Sequence, residues 1–344
     1  MRLPAKAFVP LVAATIIVIA GLATQTAEAT FPGKNGKLAY FRCVYDDCGL
    51  HVVNPDGTGE QRLVAGAGAG TWSADGRKLA YNDEGAINVI NADGTGMRRL
   101  PRPELRIDFE PTWSPDGEWI AFTTNRFTNR GSGILHIGVM RSDGSDVRQL
   151  SFGSFWDSHA NWSPDGTKIA FTRNFRSTWE LAVMNADGSD PHMIVPVVQG
   201  FAAEWSPDGE RILFHRTYST ISTVKPDGSD VRDIGTFAGG TGWSTWSPDG
   251  RLVALSKFPD PGSVSNRPKL YTIDGSGLAR LTASTAPEVH ENHPDWQPIP
   301  PPQRADFKNG PSFCRADRAH WGEAEFGQRY GGGVNAFGKC VSGN

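Results

Sequence analysis

The chain has 344 residues, of which 38% are hydrophobic and 21% charged, and its 40 glycines and 24 prolines make a turn-rich composition that suits a compact β protein. A formal net charge of −3 leaves no basic face broad enough for nucleic acid or an anionic membrane to be the main partner, and both are set aside.

At the N-terminus Arg2 and Lys6 precede an apolar run over residues 7–22, and Ala27-Glu28-Ala29 follows as a small-residue cleavage site. Basic, apolar and small-residue regions in that order predict a secretory signal over residues 1–29. The alternative is an uncleaved anchor, because the apolar run approaches the length that spans a bilayer. The remaining chain holds four cysteines in two local groups. In an oxidising compartment Cys43 with Cys48 and Cys314 with Cys340 read as two disulfides. A zinc site made from all four is the competing reading, and its spacing matches no compact ligand pattern well.

Five copies of one turn then punctuate the sequence: Trp72 to Gly76 (Trp-Ser-Ala-Asp-Gly), and Trp-Ser-Pro-Asp-Gly beginning at Trp113, Trp162, Trp205 and Trp246. They are separated by 41, 49, 43 and 41 residues, and Trp296 follows 50 after the last. A period near 45 with strand-like content predicts propeller blades. Each turn is followed by a short apolar strand b (residues 78–81, 119–122, 168–171, 211–214 and 252–255). A strand c then ends in a second Asp-Gly turn (87–91, 137–141, 181–185, 220–225 and 270–273). Segments such as 97–100, 147–150, 231–234 and 278–281 alternate apolar and polar residues, as a half-exposed outer strand d should. The segment running into each Trp is strand a, and the Asp-Gly dipeptides supply the positive φ of tight hairpins.

The ends complete each other. The first unit has strands b, c and d (37–41, 50–54 and 61–64) but no Trp turn before it, whereas Trp296 ends a strand a with no strands after it. The reading is an all-β, six-bladed β-propeller over residues 30–297, closed by pairing the C-terminal innermost strand with the N-terminal blade, which removes the open sheet edge.

The W-S-P-D-G turn, the apolar strand after it and the N-x-D-G turn together resemble the PD40 (WD40-like) repeats of TolB-type β-propellers, over about residues 33–300. TolB proteins carry an additional N-terminal α/β domain, and here strand b of the first unit begins eight residues after the expected cleavage site, so the resemblance is to the propeller alone. The resemblance is specific for fold and far less so for activity; with the expected signal, the leading expectation is a secreted or periplasmic, envelope-associated binding protein with a protein or peptide partner, read as a monomer.

A Pro-rich linker is expected over 298–305. In the segment 306–344, Phe313, Ala316, Ala319, Phe326 and Tyr330 fall near helical spacing, and Gly331 to Gly333 would stop that helix. A tail of this size needs a disulfide staple, and it reads as a capping or docking appendage.

Short Asp-Gly turns share one face of such a ring, and the longer loops (102–111, 124–134, 151–161, 196–203, 256–269 and 282–295) share the other, which is the expected functional face. Arg42, Arg173, Arg216 and Lys257 close strand b there at matching offsets. They form either a cationic ring for an acidic ligand or local pairs with the strand a acids Glu110, Asp157, Glu204 and Asp295. Asp157, His159, His290, Glu291 and His293 come nearest to a metal constellation, without a tight ligand spacing. Trp156, Trp179 and Trp243 are candidate stacking or anchoring aromatics, or blade packing.

No nucleophile elbow is present, because Gly242-Trp-Ser244-Thr-Trp246 fails at its last position, and no cofactor motif is found. The N-P-D-G and N-A-D-G segments lack the distal glutamate of a calcium loop and read as turns. The leading function is non-catalytic binding at the loop face and channel mouth. The alternative is a metal-assisted polysaccharide lyase or hydrolase, by analogy with oligogalacturonate lyases, which also use propellers with histidine ligands.

Overall fold

The computed structural model describes residues 33–342 except 130–131, 176–177, 198–202, 264–266, 285, 305–306, 308 and 331–335. The expected signal segment and the glycines 331–333 lie outside the described residues.

Six sheets of four antiparallel strands form the ring. Blade 1 holds β1 (Lys34–Val44), β2 (Asp47–Val53) and β3 (Gln61–Ala65), and blade 2 holds β4 (Gly70–Trp72), β5 (Lys78–Asp83), β6 (Ala86–Asn91) and β7 (Arg98–Arg99). Blade 3 is β8 (Asp108–Trp113), β9 (Trp119–Thr124), β10 (His136–Arg141) and β11 (Arg148–Gln149); blade 4 is β12 (Trp156–Trp162), β13 (Lys168–Phe175), β14 (Thr178–Asn185) and β15 (His192–Val197). Blade 5 is β16 (Ala203–Trp205), β17 (Ile212–His215), β18 (Thr220–Val224) and β19 (Arg232–Thr236); blade 6 is β20 (Thr241–Trp246), β21 (Val253–Lys257), β22 (Lys269–Asp274) and β23 (Gly277–Arg280). The last strand, β24 (Val289–Ile299), is the innermost strand of blade 1 and pairs antiparallel with β1, Leu38 opposite Trp296 and Lys34 opposite Ile299. The ring is closed as its repeats imply, and β24 runs two residues into the proline-rich stretch. The outer strands of blades 2 and 3 are only two residues long, and short charged edges of this kind discourage pairing with another chain.

The recurring turn owes its form to one serine and one aspartate. Ser73 Oγ donates to Asp75 Oδ1 (2.6 Å) and accepts from the Lys78 amide (3.0 Å), while Asp75 Oδ1 also accepts from the Arg77 amide. Ser114, Ser163, Ser206 and Ser247 repeat the contact with their aspartates. The glycine that follows sits at φ 65° to 70° in all five turns, a region that costs other residues energy. The N-x-D-G segments are Asx turns: Asp56 Oδ1, for example, accepts from the amide and hydroxyl of Thr58. The tryptophan opening each turn packs between blades. Trp162 lies with Ile137, Val139 and Leu150 of blade 3, and Trp296 with Ala254 and Leu270 of blade 6, so the core is a set of inter-blade layers.

The C-terminal segment holds α1 (Gly310–Trp321), α2 (Glu323–Arg329) and α3 (Ala336–Ser342). The single helix expected from Phe313 to Tyr330 is two helices, because Gly322 adopts φ +80° and breaks the run. Asn309 caps α1 by accepting from the Ser312 amide. Cys314 and Cys340 are bridged and buried with Phe326 and Ala336, which gives the tail its own small core. Cys43 and Cys48 are bridged across the β1–β2 hairpin. No helix among the described residues is long and apolar enough to cross a membrane.

Candidate functional site

The innermost strands line a central channel, and their numbering back from the blade tryptophan organises it. One residue before Trp72, Trp113, Trp162, Trp205, Trp246 and Trp296 stand Thr71, Thr112, Asn161, Glu204, Thr245 and Asp295. Three residues before stand Glu110, His159, Trp243 and His293 in blades 3, 4, 6 and 1. The pairing register slips at this level, between Phe109 and Thr112, Ser158 and Asn161, and Thr241 and Ser244, with a matching slip in β24. These are β-bulges, which re-aim side chains. Glu110, His159 and His293 occupy left-handed backbone at φ 53°, 55° and 51°. Non-glycine residues hold that conformation at a cost of roughly 1–2 kcal/mol each, and such strain concentrates at functional sites.

The resulting cavity has a volume of about 400 Å³ and reaches from Ala69 and Phe41 toward the loops down to Pro207 and Pro248 in the turns. Around its wall Glu110 Oε1 lies 2.9 Å from His159 Nε2, and Glu110 Oε2 accepts from Thr123 Oγ1 (2.7 Å). The His293 ring lies against Trp243 with centroids 3.5 Å apart and the two planes tilted by 32°. Glu204 accepts from Thr245 Oγ1 (2.7 Å), and Asp295 Oδ2 accepts from the Trp72 amide (2.6 Å). Asn161, at the same position of blade 4, likewise accepts from the Trp205 amide of blade 5 (3.1 Å), so these residues also tie one blade to the next.

Burial dominates the acid–base character of the channel. It pushes the Asp295 carboxyl up to about 7, against a smaller opposing pull from the Trp72 amide. Burial and then the neighbouring Asp295 charge raise Glu204 well above the usual carboxylate range. Glu110 is raised by burial too, but the imidazole and amide of His159 and the Thr123 hydroxyl outweigh this and hold it below its ordinary value. Burial depresses His293 to about 3, with His159 and His290 adding to the effect and Glu110 opposing it. His293 is therefore a neutral imidazole at physiological pH. The wall presents the Asp295 carboxyl held near neutrality, the Glu204 carboxyl raised by burial, a neutral imidazole and an indole: a few polar groups set in an otherwise apolar lining.

The four strand b cations are each placed beside an acid. Arg173 is buried and forms a bidentate pair with Asp157 (2.6 and 2.8 Å), with the Phe155 and Phe171 rings against its guanidinium. Arg42 contacts Glu60 (3.2 Å) and Glu291 (3.9 Å), Arg216 pairs with Asp233 on the surface, and Lys257 with Asp260. Of the strand a acids expected as partners, Asp157 alone takes a cation of this set. Glu110, Glu204 and Asp295 face the channel instead.

The proposed metal constellation is divided. Asp157 is held by Arg173, Glu291 is fully buried against the Thr282 hydroxyl, and His290 meets the edge of Phe41, while His159 and His293 reach the cavity. Among the described residues no group of three or more His, Cys, Asp or Glu is arranged to hold a metal ion. Trp156 is 46% exposed and lies 6.0 Å from Trp179, which packs on the blade 4–5 layer. Sequence reasoning missed the second buried clamp, Arg126 on Asp108 (2.6 Å), and the channel position of Glu204 and Asp295. Alignment on the tryptophans shows Asp five residues before both Trp113 and Trp162, and acids one residue before Trp205 and Trp296, which is the signal that finds them.

No curated protein matches the sequence. Among solved structures the chain is similar to TolB from Acinetobacter baumannii (18% identity, TM-score 0.62, covering 76% of this chain and 67% of that one). It is also similar to a putative TolB from Agrobacterium tumefaciens (19%, 0.57, 76% and 99%) and to an oligogalacturonate lyase in complex with manganese (13%, 0.51, 74% and 77%). At these identities the likeness is one of fold. The TolB beta propeller domain, PD40, matches residues 30–249, and with its five Trp-Ser-x-Asp-Gly turns and closed six-bladed ring the chain belongs to that family.

Proposed function

We propose that this is a non-catalytic binding protein of the cell envelope or exterior, exported by residues 1–29, that holds a protein or peptide partner at its loop face and channel mouth. The carrying observation is the 400 Å³ cavity, whose wall brings Trp243, His293 and the strained Glu110 and His159 together on a rigid ring. A concave, largely apolar site with a few convergent polar groups is what binding sites look like. The two disulfides fit an oxidising compartment. Trp156, exposed beside Trp179 on blade 4, offers a further aromatic surface.

Capture from envelope extract, followed by titration with the isolated partner, tests the reading. Saturable binding without turnover is expected, weakened at least tenfold by Trp243→Ala or Trp156→Ala. Affinity unchanged in both variants would remove the loop face as the site.

A metal-assisted lyase or hydrolase is the second reading: Glu110, His159 and His293 share one channel, although among the described residues they are not arranged to hold a metal ion. Metal analysis of the purified protein, with assay on acidic polysaccharide in added manganese, separates the two: turnover that chelator abolishes belongs to the enzyme alone.

A further inference from the structure

We propose that the channel recognises a cationic group on an apolar stem, the ammonium of a lysine-like side chain or a small alkylamine. This deepens the binding reading and rests on it.

Among the described residues the cavity wall carries three carboxyl groups, Glu110, Glu204 and Asp295, and neither lysine nor arginine. They stand on blades 3, 5 and 1, every second blade of the ring. The acids set further toward the loops are neutralised from within, Asp108 by Arg126 and Asp157 by Arg173. The channel pair is treated differently. Among the described residues Asp295 receives one hydrogen bond, from the Trp72 amide, and Glu204 receives the Thr245 hydroxyl, both uncharged donors. Enclosure with neutral donors only favours the uncharged form of both acids, and an ammonium bound between them would supply the countercharge that lets them ionise.

Independent groups point the same way. His293 lines the cavity, and its Nδ1 is buried without a hydrogen-bond partner. In the tautomer that carries its proton on Nε2, that nitrogen is an acceptor for an ammonium N–H once the ring turns toward the cavity. The indole of Trp243 and the ring of Phe41 line the same space, and aromatic faces attract cations, the more so when water is excluded. Low-dielectric walls around like-signed charge focus the field along the channel. The volume lies near the lower end of the ~300–1,000 Å³ seen for small-molecule pockets, enough for a side chain and not for a folded element.

The experiment is calorimetric titration of the full mature chain at pH 8 with Nα-acetyl-lysine amide, its neutral isostere Nα-acetyl-norleucine amide, n-butylamine and calcium chloride. The lysine probe should bind saturably and at least tenfold tighter than the norleucine probe. Glu204→Gln/Asp295→Asn, which keeps an acceptor oxygen at each position, should erase that preference while leaving norleucine affinity unchanged, with circular dichroism confirming the fold. A lysine pentapeptide binding tighter than butylamine identifies a basic peptide as the source; the reverse order identifies a free amine. Equal affinity for lysine and norleucine probes, no saturable binding of either, or a calcium site that excludes the lysine probe would overturn the proposal. A partner that still binds the loop face in those cases leaves the broader binding reading standing.

Discussion

The carboxylate of Asp295 accepts a hydrogen bond from the backbone amide of Trp72 at 2.6 Å, across 223 positions of sequence. It joins the strand that closes blade 1 to the strand that opens blade 2. Asp295→Ala leaves that amide without its acceptor and should cost about 1–3 kcal/mol in urea unfolding at pH 5, whereas Asp295→Asn, which keeps an acceptor oxygen, should cost less than about 1 kcal/mol.

The same residue gives the protein an unusual pH dependence. Its carboxyl is held up at about 7 in the folded chain against an ordinary aspartate value of 3.8, so the folded state keeps a proton that the unfolded state has lost. The associated stability is fully present below pH ~4 and declines until pH ~7. Asp295→Asn does not titrate. Its melting temperature should match that of the wild type near pH 4 and exceed it above pH ~7.5, by the equivalent of about 1–3 kcal/mol, less than the full shift because the carboxyl faces the cavity. His293, depressed to about 3, contributes stability that is lost as pH falls below ~6.5, and it is common to both proteins and cancels in the comparison. A gap independent of pH would contradict the assignment.

The buried and exposed cations should separate sharply. Arg173→Met strands the fully buried Asp157 carboxylate and should cost about 3–5 kcal/mol. Arg216→Glu breaks a surface pair and should cost no more than about 1 kcal/mol. Thermal melts of the two variants check this, and similar losses in both would argue against the clamp.

Glycines of the repeated turn should differ by position. At Gly117 (φ +70°) a Cβ meets nothing within 4 Å, so Gly117→Ala carries only the backbone penalty of about 1 kcal/mol. At Gly76 (φ +65°) a Cβ would fall 2.1 Å from the Pro298 carbonyl oxygen, on the closing strand. Gly76→Ala should therefore be worse by at least about 1–2 kcal/mol in denaturant unfolding.

The disulfides should behave as two separate devices. Cys314–Cys340 spans 26 positions and is worth about 3–4 kcal/mol to a tail whose core, among the described residues, has four buried members. Cys314→Ser/Cys340→Ser should make the tail protease-sensitive while the propeller melts unchanged. Simultaneous loss of both would show that tail and ring unfold together.

Blade count, ring closure and turn chemistry were all legible in the sequence, because each depends on local signals: Ser and Asp two apart, a glycine after them, a tryptophan before. The channel was not. Glu204 and Asp295 look like partners for the strand b cations when only offsets are compared, yet Lys257 finds Asp260 in its own loop and Arg216 finds Asp233 on the outer strand. Side-chain reach decides those pairings, and it is not encoded in spacing. The bulges at Glu110, His159 and His293 were hidden for a related reason, since left-handed backbone at a non-glycine residue leaves no compositional mark.

Closure by β24 also imposes an order in time. Leu38 must wait for Trp296, so blade 1 remains a three-stranded sheet with an exposed inner edge until nearly the whole ring has been made. Contacts of such long sequence separation form slowly. A ring that cannot finish until its last strand arrives keeps one inner sheet edge open to the end, and its final pairing joins the two ends of the propeller at once.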